Sequence, residues 1–281
     1  MNPSGETAHQ LQNGTNGSTP HDNPTGPPTD ASAAAAAPSV QQIIAALEVI
    51  HSPQSSNMHR KSAGEFLESA KADSKAPLHG FTLASDGSQI PAVRHFGLGL
   101  LAHAVRYNWQ DYGTDESSAI REWVVSLAKN VAASDPSYLR NKVAQLWVDV
   151  AKKSWPAEWN GMDFNMVELW ETDLLRRELC MYILESLVDE VFNREDSASE
   201  PRTTTLHKAC VDVVTPFQVL AESYPQRENK VEIRCGNEGW LGRLVMQLGE
   251  CLNSGVTDSK TEAFAVQVLS TLRSCMSWSI P

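Results

Sequence analysis

The stretch LRNKVAQLWVDVAKKSWPAEW, residues 139–159, predicts the fold class. Its apolar residues recur every three or four positions, at 139, 143, 146, 147 and 150, which is the pattern of one helix face. We expect Asp135 to cap this helix and Pro136 to open it, because proline needs no amide hydrogen in a first turn. Pro156 should end the helix by disfavouring the helical conformation at Trp155. Neighbouring helices must cover so apolar a face.

Similar apolar stripes follow one another along most of the chain. Between Val40 and Leu272 we predict about ten helices with short polar breaks, and no segment alternates as a β-strand does. Residues 73–87 are predicted as a polar loop with at most a short helix near 78–83, and Thr114 as a helix cap. The last three stripes are Leu206, Cys210, Val213, Val214, Phe217 and Leu220; then Leu241, Leu244, Val245, Leu248 and Leu252; and Ala263, Val266, Leu269 and Leu272.

The spacing of the stripes favours a repeat architecture. Taken in pairs, the helices average roughly 40 residues per pair, the period of HEAT-type repeats. We therefore predict an all-α fold, an α-α superhelix of the HEAT-repeat solenoid type, with a closed helical bundle as the alternative. Residues 1–39 contain almost no large apolar side chains and are predicted to be a disordered tail. The last stripe ends close to residue 281, so we expect a chain truncated at its C-terminus or the front part of a longer protein.

Composition narrows the function classes. The chain of 281 residues has 34 acids and 23 bases, a net charge of −11, which argues against a dedicated DNA or anionic-membrane binder. Its five cysteines are scattered, so we expect reduced thiols, with Cys180, Cys210 and Cys251 as small core residues. With neither a secretory signal nor a long apolar run, a cytosolic or nuclear protein without a membrane span is predicted.

Short motifs give no support for an enzyme. Gly97 and Gly99 fit the spacing G-x-G-x-x-A of a dinucleotide site, but they lie inside a helical stripe, where small residues let another helix approach. His95 and His103 are eight residues apart, which does not suit metal binding on one helix face. Acids such as Glu185, Asp189 and Glu190 are predicted to be solvated. We expect no catalytic residue, cofactor or metal, and a packing role for Trp155 and Trp159.

Three segments carry a family resemblance. RKSAGEFL at 60–67, and VRHFGLGLL at 93–101 followed by Trp109, resemble the N-terminal domain of the importin-β (karyopherin-β) superfamily. The 139–159 segment resembles the exportin-1/importin-β-like domain, which follows that N-terminal domain in the family. The sequence around Arg94 is most similar to the exportin-5 group. The resemblance implies importin-β N-terminal-like HEAT repeats over residues 40–110 and exportin-1/importin-β-like repeats over residues 111–281.

The resemblance also implies a function. Receptors of this superfamily bind Ran in its GTP form through their N-terminal repeats, carry protein or structured RNA cargo past nuclear pore proteins, and shuttle between nucleus and cytoplasm. In the family, the second helices of the first repeats meet Ran, and here these lie around 58–71, 90–109 and 137–153. The Ran-binding candidates are polar residues on these helices: Glu65, Arg94, Asn141, Lys142 and Gln145. The alternative is a generic helical-repeat scaffold for protein–protein interaction without Ran dependence.

Overall fold

The computed structural model describes residues 38–193, 200–226, 236–255 and 258–277. In these ranges the chain forms twelve α-helices and no β-strand, which confirms the all-α prediction. Residues 1–37 of the predicted tail lie outside the described residues. The helices are α1 Val40–His51, α2 Asn57–Lys71, α3 Ala76–Ser85, α4 Pro91–Tyr107, α5 Thr114–Lys129, α6 Ser137–Ser154, α7 Met162–Thr172, α8 Leu174–Val188, α9 Glu200–Val214, α10 Phe217–Ser223, α11 Gly239–Ser254 and α12 Ser259–Met276.

Five helix pairs stack in two layers. The pairs are α1 with α2, α3 with α4, α5 with α6, α7 with α8, and α11 with α12. We call the first helices of these pairs the A layer and the second helices, α2, α4, α6, α8 and α12, the B layer. Neighbouring B-layer helices contact one another in that order, and α9 and α10 are inserted before the fifth pair. Each pair contacts mainly the pairs beside it, as in an α-α solenoid. The structure therefore confirms the predicted HEAT-type solenoid and not its alternative, the closed helical bundle.

The prediction of a polar loop at residues 73–87 with at most a short helix near 78–83 is wrong in extent, because the helix α3 covers residues 76–85. This helix packs on α4 through two glycines: a Cβ atom at Gly97 would lie 2.7 Å from the carbonyl oxygen of Gly80 and 2.8 Å from the amide nitrogen of Ala84. The backbones of α3 and α4 can approach so closely only because both positions lack a side chain. Gly97 therefore serves helix packing, as the sequence predicted, and does not form part of a dinucleotide site.

The Trp-Pro-x-x-Trp corner at 155–159 serves packing, as the sequence predicted. Trp155 follows α6 in an extended conformation and is fully buried. Trp159 packs its ring 5.0 Å from that of Trp147, and its indole N–H donates to the amide oxygen of Asn165 at 3.1 Å. The corner thus joins α6 to the start of α7.

Both predicted caps are wrong by one residue. Pro136 occupies the N-cap position of α6, and the carboxylate of Asp135 accepts a hydrogen bond from Arg94 on α4. Gly113 is the N-cap of α5, and Thr114 is its first helical residue. Sequence alone does not separate a cap from its neighbour when both suit a helix start.

The C-terminal stripes also differ in detail. The predicted single helix over 206–220 is broken at Thr215–Pro216 into α9 and α10, because proline cannot continue the hydrogen-bond ladder. In α12 the predicted stripe residues Val266 and Leu269 are exposed, while Val268 and Thr271 are buried. The buried face of α12 is therefore rotated from the one we predicted.

The core includes most of the predicted stripe residues. One buried cluster joins α1 to α4 and a larger one extends from α3 to α12. Cys180, Cys210 and Cys251 are buried free thiols, as predicted, whereas Cys235 lies outside the described residues. In the part of the chain that the structure describes, no helix is both long and apolar enough to span a membrane.

Candidate functional site

The candidate site is the polar side of α4, α6 and α8 in the B layer. The ring of His95 on α4 meets that of Tyr138 on α6 with centroids 5.5 Å apart, and three turns further the guanidinium of Arg106 pairs with Asp149 at 3.1 Å. In both pairs the two residues are 43 positions apart, and the residue numbers rise in the same direction along α4 and α6. The two helices therefore run parallel, with equivalent positions of successive repeats side by side.

A hydrogen-bonded network continues this row to α8. The amide of Gln145 donates to Asp149 at 3.3 Å and to Glu190 at 3.4 Å, and the amine of Lys152 pairs with Glu190 at 3.0 Å. Glu190 lies in a short π-helical turn, Asp189–Asn193, directly after α8. Its carboxylate is 7% exposed, so the prediction that Glu190 is solvated is wrong. The network fixes the spacing of three consecutive B-layer helices.

Burial sets the electrostatics of this surface. Desolvation raises the pKa of the Asp149 carboxyl, which is 6% exposed, and Arg106 and Gln145 oppose this only in part. Desolvation also lowers the pKa of the Lys142 amine, and the like charge of Arg106 adds to that effect. Burial also lowers the pKa of His95, and the like charge of Lys142 adds to that effect. The positive groups of this surface therefore lie close to one another and partly out of water.

The five predicted residues fall on the predicted helices but have different surroundings. Glu65 on α2 is exposed, and its carboxylate lies 3.9 Å from the amine of Lys61. Arg94 on α4 is mostly buried: its guanidinium donates to the carbonyl of Ala84 at 3.2 Å and pairs with Asp135. Arg94 thus holds the end of α3, the start of α4 and the turn before α6 together.

The other three predicted residues lie on α6, on the polar side of the B layer. Asn141 is exposed, Lys142 is half-buried, and Gln145 takes part in the network with Asp149. The structure therefore brings Lys142 and Gln145 into one site and leaves Glu65 on another helix. Whether these residues bind a partner stays a prediction.

Sequence reasoning missed His95, Arg106 and Asp149 as parts of this surface. One signal was available for Asp149, which interrupts the apolar run of Val148 and Val150 in the middle of a buried stripe. A carboxylate at such a position needs a cationic or hydrogen-bonding partner. The identity of that partner, Arg106, follows only from the packing of α4 on α6.

The A layer carries a groove of a different kind. Between α5 and α7 lies an open cavity of about 600 Å³, with Val125 and Trp159 among its apolar lining. The ion pair Lys129–Glu168 at 3.2 Å joins α5 to α7, and the ion pair Arg121–Glu158 at 3.3 Å joins α5 to the turn before α7. The cations of this groove are thus already neutralised.

Stacked helix pairs whose second helices share a row of polar side chains define this chain as a helical-repeat protein, a class that forms extended surfaces. Within that class, the sequence profile of exportin 1-like proteins matches residues 136–281, just over half of the chain and all of α6 to α12. The chain belongs to the exportin 1-like family.

Relatives support this assignment on a longer stretch. The chain is similar to Protein MSN5 of Saccharomyces cerevisiae, with 34% identity over 253 residues, which are 85% of this chain and 20% of that protein. It is also similar to Exportin-5 of Mus musculus, with 29% identity over 198 residues, 68% of this chain and 16% of that protein. Exportin-1 of Dictyostelium discoideum is 25% identical over 171 residues, 57% of this chain and 16% of that protein. The chain spans a fifth or less of the length of these relatives.

Proposed function

We propose that this chain is the N-terminal part of a nuclear export receptor and binds Ran in its GTP form. The observation that carries the proposal is the exportin 1-like match, which covers the described helices α6 to α12. Similarity to two proteins named exportins, over 68% and 57% of this chain, supports it. On this proposal the protein does no chemistry and works by reversible binding.

We place the contact with Ran on the B layer. Glu65, Asn141 and Lys142 present polar groups there on two helices, and Gln145 lies beside them in the network. Arg94 acts indirectly on this proposal, because its guanidinium is occupied by Asp135 and Ala84. Polar contacts spread over several helices suit a switchable interface, which must form and dissociate with the nucleotide state of the partner.

The further partners are proposed for the whole receptor. These are a protein or structured RNA cargo and nuclear pore proteins, with the receptor shuttling between nucleus and cytoplasm. The exposed surface of this part is mixed in charge and the chain is acidic overall, so we assign RNA contacts, where they occur, to other parts of the receptor.

A titration of the purified chain with Ran loaded with GTP or GDP tests the proposal. We expect saturable binding of the GTP form and at least tenfold weaker binding of the GDP form. Asn141→Ala should weaken the GTP-dependent binding, whereas Glu122→Ala on the A layer should leave it unchanged. Equal affinity for both nucleotide forms, or no binding of either, would favour the generic scaffold and refute the transport function.

A further inference from the structure

Side chains of α4 and α6 face each other in pairs along the polar side of the B layer, and one position of α4, Gly99, has no side chain there. His95 faces Tyr138, and Arg106 faces Asp149, each pair 43 residues apart. The same offset sets Gly99 opposite Lys142, between these two pairs. A Cβ atom at Gly99 would have no heavy atom within 4 Å outside its own helix backbone and chain neighbours. The row of side chains on α4 therefore has a gap at Gly99, which is open to solvent. We call this gap the recess.

The cation beside this recess is not neutralised by the protein. Among the described residues, the amine of Lys142 makes no ion pair and no hydrogen bond, and the residue is half-buried. The nearest acid that influences it, Asp149, is already paired with Arg106. A partly desolvated ammonium group without a counter-ion is costly in the free protein, and a carboxylate placed against it recovers part of that cost.

We propose that the recess above Gly99, bounded by His95 and Arg106 and facing Lys142, receives a carboxylate side chain of the protein that docks on the B layer. The proposal rests on the proposed function in one respect, since it takes that docking partner to be Ran in its GTP form. It adds His95, Gly99 and Arg106 to the residues that determine specificity.

The charges around the recess favour a single carboxylate over a nucleic-acid backbone. Asp149 lies 3.1 Å from the guanidinium of Arg106 on α4, and Glu190 lies 3.0 Å from the amine of Lys152 on α6. A chain of phosphates would have to pass these acids, whereas one aspartate or glutamate side chain can enter between them. The small size of the opening, one missing side chain on α4, also suits a short side chain.

A double-mutant cycle tests the recess without any partner. Gly99→Glu supplies the carboxylate from α4 itself, and Gly99→Gln is its neutral control with nearly the same helix propensity. We expect Gly99→Glu to melt about 2 °C above Gly99→Gln at low salt. This difference should vanish when Lys142→Gln is added and in about 1 M salt. Equal melting temperatures at low salt, or a difference that persists with Lys142→Gln, would overturn the proposal.

A second experiment tests the recess in complex formation. Gly99→Leu fills the recess on the solvent side, and Gly249→Leu is the matched control on α11, where a Cβ atom is equally free of neighbours. We expect Gly99→Leu to bind GTP-loaded Ran about tenfold more weakly than wild type, and Gly249→Leu to bind normally. Unchanged binding by Gly99→Leu would overturn the proposal. So would a duplex RNA that binds wild type and loses affinity with Gly99→Leu.

The two proposals fail in different ways. If wild type binds Ran in neither nucleotide state, the proposed function fails, and the double-mutant cycle alone decides whether the recess accepts a carboxylate. If wild type binds GTP-loaded Ran and both glycine variants bind equally, the proposed function stands and the carboxylate recess is wrong.

Discussion

At the scale of single residues, the pair of Arg94 and Asp135 connects segments that are 41 positions apart in sequence. Asp135 is 6% exposed at its side chain, and it also accepts a hydrogen bond from the backbone N–H of Ala132 at 2.9 Å. Burial disfavours its charged form, but the hydrogen bonds from Arg94 and Ala132 outweigh burial and lower the pKa of this carboxyl. The ionised pair therefore stabilises the turn before α6.

We predict that Asp135→Asn lowers the free energy of unfolding by about 2 kcal/mol at pH 7, because Arg94 is left largely buried without a counter-ion. Lys61→Gln should change it by less than about 0.5 kcal/mol, since the Lys61–Glu65 pair is exposed. Urea unfolding at pH 7 measures both. Equal effects of the two substitutions would mean that the buried pair contributes no more to the free energy of unfolding than the exposed one.

The same pair predicts a pH dependence. A carboxyl whose pKa is lowered by folding stabilises the protein above its unfolded pKa, about 4, and this contribution is lost as the pH falls through the folded value. The stability difference between wild type and Asp135→Asn should therefore be largest near neutral pH and shrink below pH 4. A difference that grows on acidification would contradict this sign.

The buried cysteines give a third prediction at the scale of single residues. Burial, with the nearby acid Glu185, raises the pKa of Cys275 to about 12, and burial also raises those of Cys180 and Cys210. Because only the thiolate reacts, these three thiols should resist iodoacetamide at pH 8 in the folded protein and react after unfolding in urea. Peptide mass spectrometry reads out each site, and rapid labelling of Cys180 in the native protein would place it outside the core.

At the scale of secondary structure, Gly97 and Gly99 on α4 have opposite surroundings. Gly97 touches the backbone of α3, whereas Gly99 faces open space. Gly97→Ala should destabilise the protein by about 2 kcal/mol, because the backbone of α3 has to move. Gly99→Ala should stabilise it by about 0.5 to 1 kcal/mol, because alanine is the better helix former. Urea unfolding of the two variants measures the difference, and equal signs would show that α3 and α4 do not approach as closely as described.

The same contact shows how far sequence predicts these elements. Helices with wide apolar stripes, such as α4 and α6, were predicted within one or two residues of their observed ends. The helix α3 was predicted too short, as at most a short helix near 78–83. Small residues, including Gly80 and Ala84, make up much of its buried face, so the sequence shows no wide apolar stripe there. The split of α9 from α10 was missed because Pro216 falls inside a continuous apolar pattern.

At the scale of the whole molecule, sequence predicted the candidate surface only in part. Helix periodicity and resemblance pointed to α2, α4 and α6, and the structure places the predicted residues on these helices. The network of Arg106, Asp149 and Glu190 joins three repeats. Its contact between α4 and α6 joins residues 43 positions apart, and its contacts between α6 and the turn after α8 join residues 38 and 45 positions apart. Such pairs depend on the register between parallel helices, which a single sequence does not reveal.

The central claim is that the B layer of this stack is the surface that meets Ran in its GTP form. Site-specific photo-crosslinking tests it most directly, with a benzophenone amino acid at Asn141 on the B layer or at Glu122 on the A layer. We predict a cross-link to Ran from Asn141 with GTP and none with GDP, and no cross-link from Glu122 with either nucleotide. A cross-link from Glu122 alone, or equal cross-linking from Asn141 with both nucleotides, would contradict the account.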